Sequence, residues 1–155
     1  MNKVLSDKEL VNVIEDIKKN NKKIILTNGC FDILHIGHAK YLQEARKLGD
    51  YLFIGVNSDS SVKKLKGENR PINKEHDRAE LLTFLESVDY AVIFEEQTAD
   101  NLIKKIKPNV YVKGGDYTRE SLPEASTLNE LDIDTAFIKF EDGYSTTNVI
   151  KKINS

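Results

Sequence analysis

Ile24-Ile25-Leu26-Thr27-Asn28-Gly29-Cys30-Phe31-Asp32-Ile33-Leu34-His35-Ile36-Gly37-His38 is the stretch on which the reading of this chain turns. Its first four residues form a short apolar run of the kind that makes a strand buried on both faces. A loop through Asn28–Gly37 then leads to a helix predicted from about His38 to Leu48, with Gly49 placed to end it. Strand, loop and helix in that order open a parallel crossover.

The same alternation extends in both directions. Upstream, Ser6-Asp7-Lys8-Glu9 has the form of a capping box, and Leu10, Val13, Ile14 and Ile17 recur at helical spacing, which predicts a helix over 6–20. Downstream, strands are predicted at Tyr51–Val56, Tyr90–Phe94, Val110–Val112 and Ala136–Phe140. Helices are predicted near 74–86, from a Thr98 cap to just before Pro108, and over 146–153, with a further helix and loops within Thr118–Asp134. Residues 58–73 read as irregular and polar. The pattern predicts an α/β fold, Rossmann-like, with a five-stranded parallel sheet and helices on both faces. Ligands of such sheets bind beyond the carboxyl ends of the strands, so the segments 28–38, 57–70, 95–98, 113–118 and 141–147 carry the functional expectation.

Composition narrows the function classes. At ~150 residues per domain, 155 residues are read as one domain, 1–155, with a real core. The 23 Lys+Arg against 25 Asp+Glu give a formal charge of −2, which argues against a strongly basic duplex-DNA binder. No apolar run approaches the ~18 residues needed to cross a bilayer, and Asp7, Lys8 and Glu9 interrupt any signal-like start. The expectation is a soluble, cytoplasmic protein. A single cysteine, Cys30, excludes an intramolecular disulfide and a cysteine-rich zinc site. None of the eight glycines builds GxGxxG or a Walker A loop.

Within the opening stretch, Gly29 and Gly37 allow a bound group to approach the backbone. His35 and His38 frame a helix start, where unpaired amides and the positive end of the dipole favour an anion. Two imidazoles there suit phosphate oxygens and charge that develops in a transition state. A metal pair or packing histidines are the alternatives, but a metal pair usually needs a third ligand, and His76 lies in a charged helix start.

Gly29-Cys30-Phe31-Asp32 followed by His35-Ile36-Gly37-His38 resembles the signature of the cytidylyltransferase-like nucleotidyltransferases. These enzymes use a substrate phosphate to attack the α-phosphate of a nucleoside triphosphate and release pyrophosphate. The Ser/Thr-rich turn of that family is matched by Gly143-Tyr144-Ser145-Thr146-Thr147-Asn148. Within the family, four ordered segments resemble the heptose 1-phosphate adenylyltransferases: Thr27–Asp32, Leu65-Lys66-Gly67-Glu68-Asn69-Arg70-Pro71, Val112–Tyr117 and Phe140-Glu141-Asp142-Gly143. Glycerol-3-phosphate cytidylyltransferases tend to carry Thr where Cys30 stands and Arg near Phe140-Glu141, so CTP is disfavoured. In many bacteria the heptose activity is fused to a sugar kinase; this chain looks like the stand-alone form.

The resemblance implies transfer of AMP from ATP to heptose 1-phosphate, with Mg²⁺ carried on the ATP phosphates, no nucleic-acid or membrane partner, and a homodimer. It implies catalytic roles for His35 and His38. Nucleotide contacts fall to Asn28, Gly29, Cys30, Phe31, Gly37, Lys40, Gly115, Asp116, Ser145, Thr146 and Thr147. Asp32, Lys66, Arg70, Arg78 and Lys113 are the candidates for the sugar phosphate. Each has a plainer alternative: an N-cap at Ser145, an Asx turn at Asp116, a solvated helix lysine at Lys40, loop support or helix-surface pairing at Arg78, and loop bracing at Asp32. Rival readings are a transferase of the same fold with another base or acceptor (GDP-heptose forming, or acting on glycerol 3-phosphate) and a non-catalytic nucleotide-binding module.

Overall fold

A computed structural model describes residues 2–139 and 145–155. Five strands lie in one sheet: β1 (Ile24–Gly29), β2 (Tyr51–Asn57), β3 (Tyr90–Phe94), β4 (Val110–Gly114) and β5 (Asp134–Ile138). Their order is β3-β2-β1-β4-β5, and every pairing is parallel. From β1 the chain builds outward to β2 and β3, then returns to the other side for β4 and β5. The reversal falls between β1 and β4, and a crevice opens there at the carboxyl ends of the strands.

Alternate residues of the strands feed two apolar layers, as a sheet covered on both faces requires. On one face Ile24, Leu26, Phe53 and Tyr111 pack with Leu10, Ile14 and Ile17 of α1 (Asp7–Lys19), Ile103 and Ile106 of α5 (Asp100–Ile106) and Leu128 of α6 (Ala125–Glu130). On the other, Ile25, Leu52, Ile54 and Val112 meet Tyr41, Leu42 and Ala45 of α2 (Ile36–Arg46) and Ala79 and Leu82 of α4 (Glu75–Thr83). The capping box forms as expected: Glu9 N–H donates to Ser6 Oγ at 3.2 Å and Ser6 N–H to Glu9 Oε1 at 3.1 Å. Ahead of α1, Leu5 N–H donates to Ala91 O and Ala91 N–H to Lys3 O, so a short extended segment covers the outer edge of β3.

Several boundaries differ from the sequence reading for local reasons. Residues 59–66, expected to be irregular, form the helix α3 (Asp59–Lys66). Ser58 caps it by accepting the Ser61 N–H, and Val62 is fully buried. Its three lysines fall in the last turn, where the helix dipole favours positive charge. Polarity hid the helix because only one short face is apolar.

Thr98 does not cap α5; its hydroxyl donates to Asp100 Oδ2 and Ala99 occupies the cap position. Gly49 does not end α2 by a left-handed turn either. A Cβ there would lie 2.8 Å from the Ile25 side chain, so close packing on β1 asks for glycine. β5 begins and ends earlier than expected, and Phe140 lies outside the described residues, as do Glu141, Asp142, Gly143 and Tyr144. The last helix, α7, spans Thr146–Asn154. No described helix is long and apolar enough to cross a membrane.

Candidate active site

α2 starts at Ile36, two residues before the sequence expectation, which makes His35 the N-cap and sets His38 one turn in. The two imidazoles then stack with centroids 3.9 Å apart. His35 N–H donates to His38 Nδ1 at 3.3 Å, so neutral His38 carries its proton on Nε2, a donor. Phe31 brackets the pair, its ring centroid 5.4 Å from that of His38. That ring is held by a left-handed backbone at Phe31 (φ 48°) and lies against Gly29, where a Cβ would come within 3.0 Å of it. A side chain at position 29 would therefore press on the aromatic two residues on.

These residues line a cavity of about 500 Å³ at the carboxyl ends of the strands, a volume suited to small-molecule binding. Across it stands the start of α7, where Ser145 caps the helix by accepting the Asn148 N–H at 3.0 Å. Thr146 Oγ1 donates to Ile33 O at 3.1 Å and so ties α7 to the loop that carries the histidines. Ser145, Thr146 and Thr147 all face the cavity, as do Asn28, Cys30, Lys66 and Lys113. Two helix starts, two imidazoles and a hydroxyl row form an anion-receptive end.

Asp32 is buried, and its carboxylate accepts the N–H groups of Ile72 and Asn73 and Arg70 Nε, each at 2.9 Å. Burial pushes its pKa up, but the amides of Asn73 and Ile72 and the Arg70 guanidinium outweigh it and hold the group below the usual carboxylate range. Asp32 thus fastens the 70–73 loop over the cavity, and Arg70 is committed in part to that pair. Burial raises the Cys30 thiol, with Lys66, Arg78 and Arg70 opposing, so it is not a poised nucleophile. Burial lowers the pKa of Lys113, and Glu124 partly restores it.

Five expected site residues lie outside the cavity wall. Arg78 is buried and its guanidinium is spent on protein: Asn73 O, Cys30 O, Asn57 O and Asp59 Oδ1. It braces the site instead of reaching a substrate. Lys40 is exposed on α2, Gly37 is buried inside that helix, and Gly115 makes a left-handed turn (φ 89°) beside exposed Asp116. Conversely, Asn57, Leu65, Gln97, Tyr117, Pro123 and Glu124 line the cavity without having been singled out. Asn57, Leu65, Gln97 and Tyr117 fall within the segments 57–70, 95–98 and 113–118 marked for their position after a strand, though none was named there as a site residue. Glu124 gave no such signal, being ten residues beyond β4.

Burial and then the neighbouring His35 drive the His38 pKa down to about 4, so both imidazoles are neutral at pH 7. The unfolded chain binds the extra proton from about pH 6.5 downward, while the folded chain does not until about pH 4. Stability therefore falls as pH drops through that window and is level above it, with a loss on the order of 2–3 kcal/mol from His38. Thermal melting at pH 7.5 and 4.5 should show this drop, and His38→Gln should reduce it. An unchanged drop in the variant would refute the assignment.

The profile of the Cytidylyltransferase-like family matches residues 26–152, and the chain belongs to that family. It is 61% identical over 132 residues to the bifunctional protein HldE of Aliarcobacter butzleri, covering 85% of this chain and 27% of that protein. The corresponding protein of Nitratiruptor is 51% identical over 95% of this chain and 31% of its own length. The chain thus spans about 30% of the length of these relatives. The crystal structure of the lipopolysaccharide core biosynthesis protein from Thermoplasma volcanium superimposes with a TM-score of 0.65 at 31% identity, covering 80% of this chain and 99% of that one.

Proposed function

We propose that the domain transfers AMP from ATP to heptose 1-phosphate, forming ADP-heptose and pyrophosphate. The observation that carries this is the stacked His35–His38 pair at the start of α2, facing Ser145–Thr147 across one cavity. Likeness to the HldE proteins and the four heptose-type segments favour the acceptor.

An oxygen of the sugar phosphate attacks the α-phosphorus in line, the bond to the α–β bridging oxygen breaks, and pyrophosphate leaves. The nucleophile is already anionic, so no general base and no covalent enzyme intermediate are required. Catalysis is then positioning and charge stabilisation. His38 Nε2–H and His35 meet the phosphate oxygens as charge builds. A bound triphosphate opposes the burial that keeps these imidazoles neutral, so their proton affinity rises on binding. Ser145, Thr146 and Thr147 present hydroxyls and the α7 amides to the β- and γ-phosphates. Lys66 and Lys113 offset the acceptor's phosphate. ATP arrives as its Mg²⁺ complex, the ion shielding charge between the phosphates; among the described residues no group of three or more His, Cys, Asp or Glu forms a protein metal site.

The test is pyrophosphate release with ATP, GTP and CTP crossed with both anomers of heptose 1-phosphate. Release should be fastest with ATP and a heptose 1-phosphate. Faster turnover with GTP or CTP would correct the base, and the absence of release with every sugar phosphate would overturn the proposal.

A further inference from the structure

One carboxylate in the cavity has no part in the phosphate chemistry. Glu124 is 4% exposed and lines the cavity. Its Oε2 accepts the Ala99 N–H at 3.0 Å, joining the segments that follow β3 and β4, which flank β2 and β1 in the sheet. Its Oε1 is buried and has no hydrogen-bond partner among the described residues. A buried acceptor left unpaired is costly and calls for a reason. The neighbouring Tyr111 hydroxyl, close enough to feel the carboxylate, donates its proton to Asn28 Oδ1. That bond in turn leaves Asn28 Nδ2 as a donor on the cavity wall.

We infer that Glu124 Oε1 accepts a hydrogen bond from a hydroxyl of the acceptor sugar, making Glu124 a specificity-determining residue for the polyol. This rests on the proposed transfer to a sugar phosphate. A carboxylate repels phosphate, so the anionic groups of both substrates take the histidine and serine side of the cavity, and an uncharged, hydroxyl-bearing part meets Glu124. A hydroxyl both donates and accepts, and the wall offers it an acceptor in Glu124 and a donor in Asn28.

The experiment compares wild type, Glu124→Gln and Glu124→Ala in pyrophosphate release, varying the sugar phosphate at saturating ATP and then the reverse. Glutamine keeps an oxygen for the Ala99 amide, so it separates recognition from folding, which thermal melting monitors. In Glu124→Gln, kcat/KM for the sugar phosphate should fall about 10- to 100-fold, chiefly through KM, with KM for ATP within about 3-fold of wild type. Singly deoxygenated sugar phosphates add a second readout. One of them should be penalised by wild type and no longer penalised by the variant. The inference is overturned if a folded Glu124→Gln keeps its kcat/KM for the sugar, if KM for ATP shifts instead, or if every deoxygenation costs both proteins the same. A wild type silent with all sugar phosphates defeats the proposed transfer itself and this inference with it; an active wild type indifferent to Glu124 defeats the inference alone.

Discussion

Replacing His38 with alanine is expected to lower turnover by at least ~10²-fold while the domain stays folded, the range seen when a donor to developing transition-state charge is removed. His38 presents an Nε2–H whose direction is fixed from both sides: Nδ1 is held by the His35 amide and the ring by stacking on His35 and contact with Phe31. Such a donor reaches the reacting phosphate with little reorganisation. The variant leaves one partly exposed amide without its acceptor, a cost of ~1 kcal/mol, too little to unfold the domain. His35→Ala should behave alike. Pyrophosphate release at saturating substrates, with circular dichroism to confirm folding, decides the matter; near-wild-type turnover in a folded variant would remove the histidines from the chemistry.

The largest expected loss of stability is at Arg78. Its guanidinium donates to Asn73 O at 2.9 Å, Cys30 O at 2.6 Å, Asn57 O at 2.8 Å and Asp59 Oδ1 at 2.9 Å, all from a side chain with no solvent exposure. One planar fork thereby fastens the loops that follow β1 and β2 to the start of α4. Arg78→Ala strands three carbonyls and a carboxylate and should cost about 3–5 kcal/mol. At 2–4 °C per kcal/mol for a domain of this size, Tm should fall by roughly 10 °C. Arg78→Lys should recover little, because a single ammonium cannot span four acceptors placed around a plane. A melting curve within about 2 °C of wild type for Arg78→Ala would contradict this account.

These two residues also mark what was legible in the sequence. The order of strands and helices could be read because buried parallel strands leave uninterrupted apolar runs, such as Ile24–Leu26, and amphipathic helices leave a period, as in α1. The histidine pair was visible because its geometry depends on sequence-local spacing at a helix start. Arg78 was named for substrate, since its type and neighbourhood suggested phosphate. Its burial depends on Cys30, Asn57 and Asp59 converging from distant segments, which no local pattern records. Asp32 was left between sugar contact and loop bracing; its carboxylate accepts three donors from 70–73, an arrangement no local pattern records. Glu124 was missed for the same reason as Arg78, because its role exists only once the segments after β3 and β4 meet.

The short pairing of Lys3–Leu5 with Ala91 bears on how copies of this domain could associate. A parallel sheet ordinarily ends in two rows of unpaired amides and carbonyls, either of which can template a foreign strand. Here Ala91 on the β3 row is already engaged by the chain itself, so a strand adding at that point would have to displace Lys3–Leu5. On the β5 side, Asp134 and Phe137 stand exposed, three residues apart and so on opposite faces of the strand. Sheet-to-sheet growth, the geometry of a fibril, thus meets an obstacle at Ala91 from three residues that do not line the cavity.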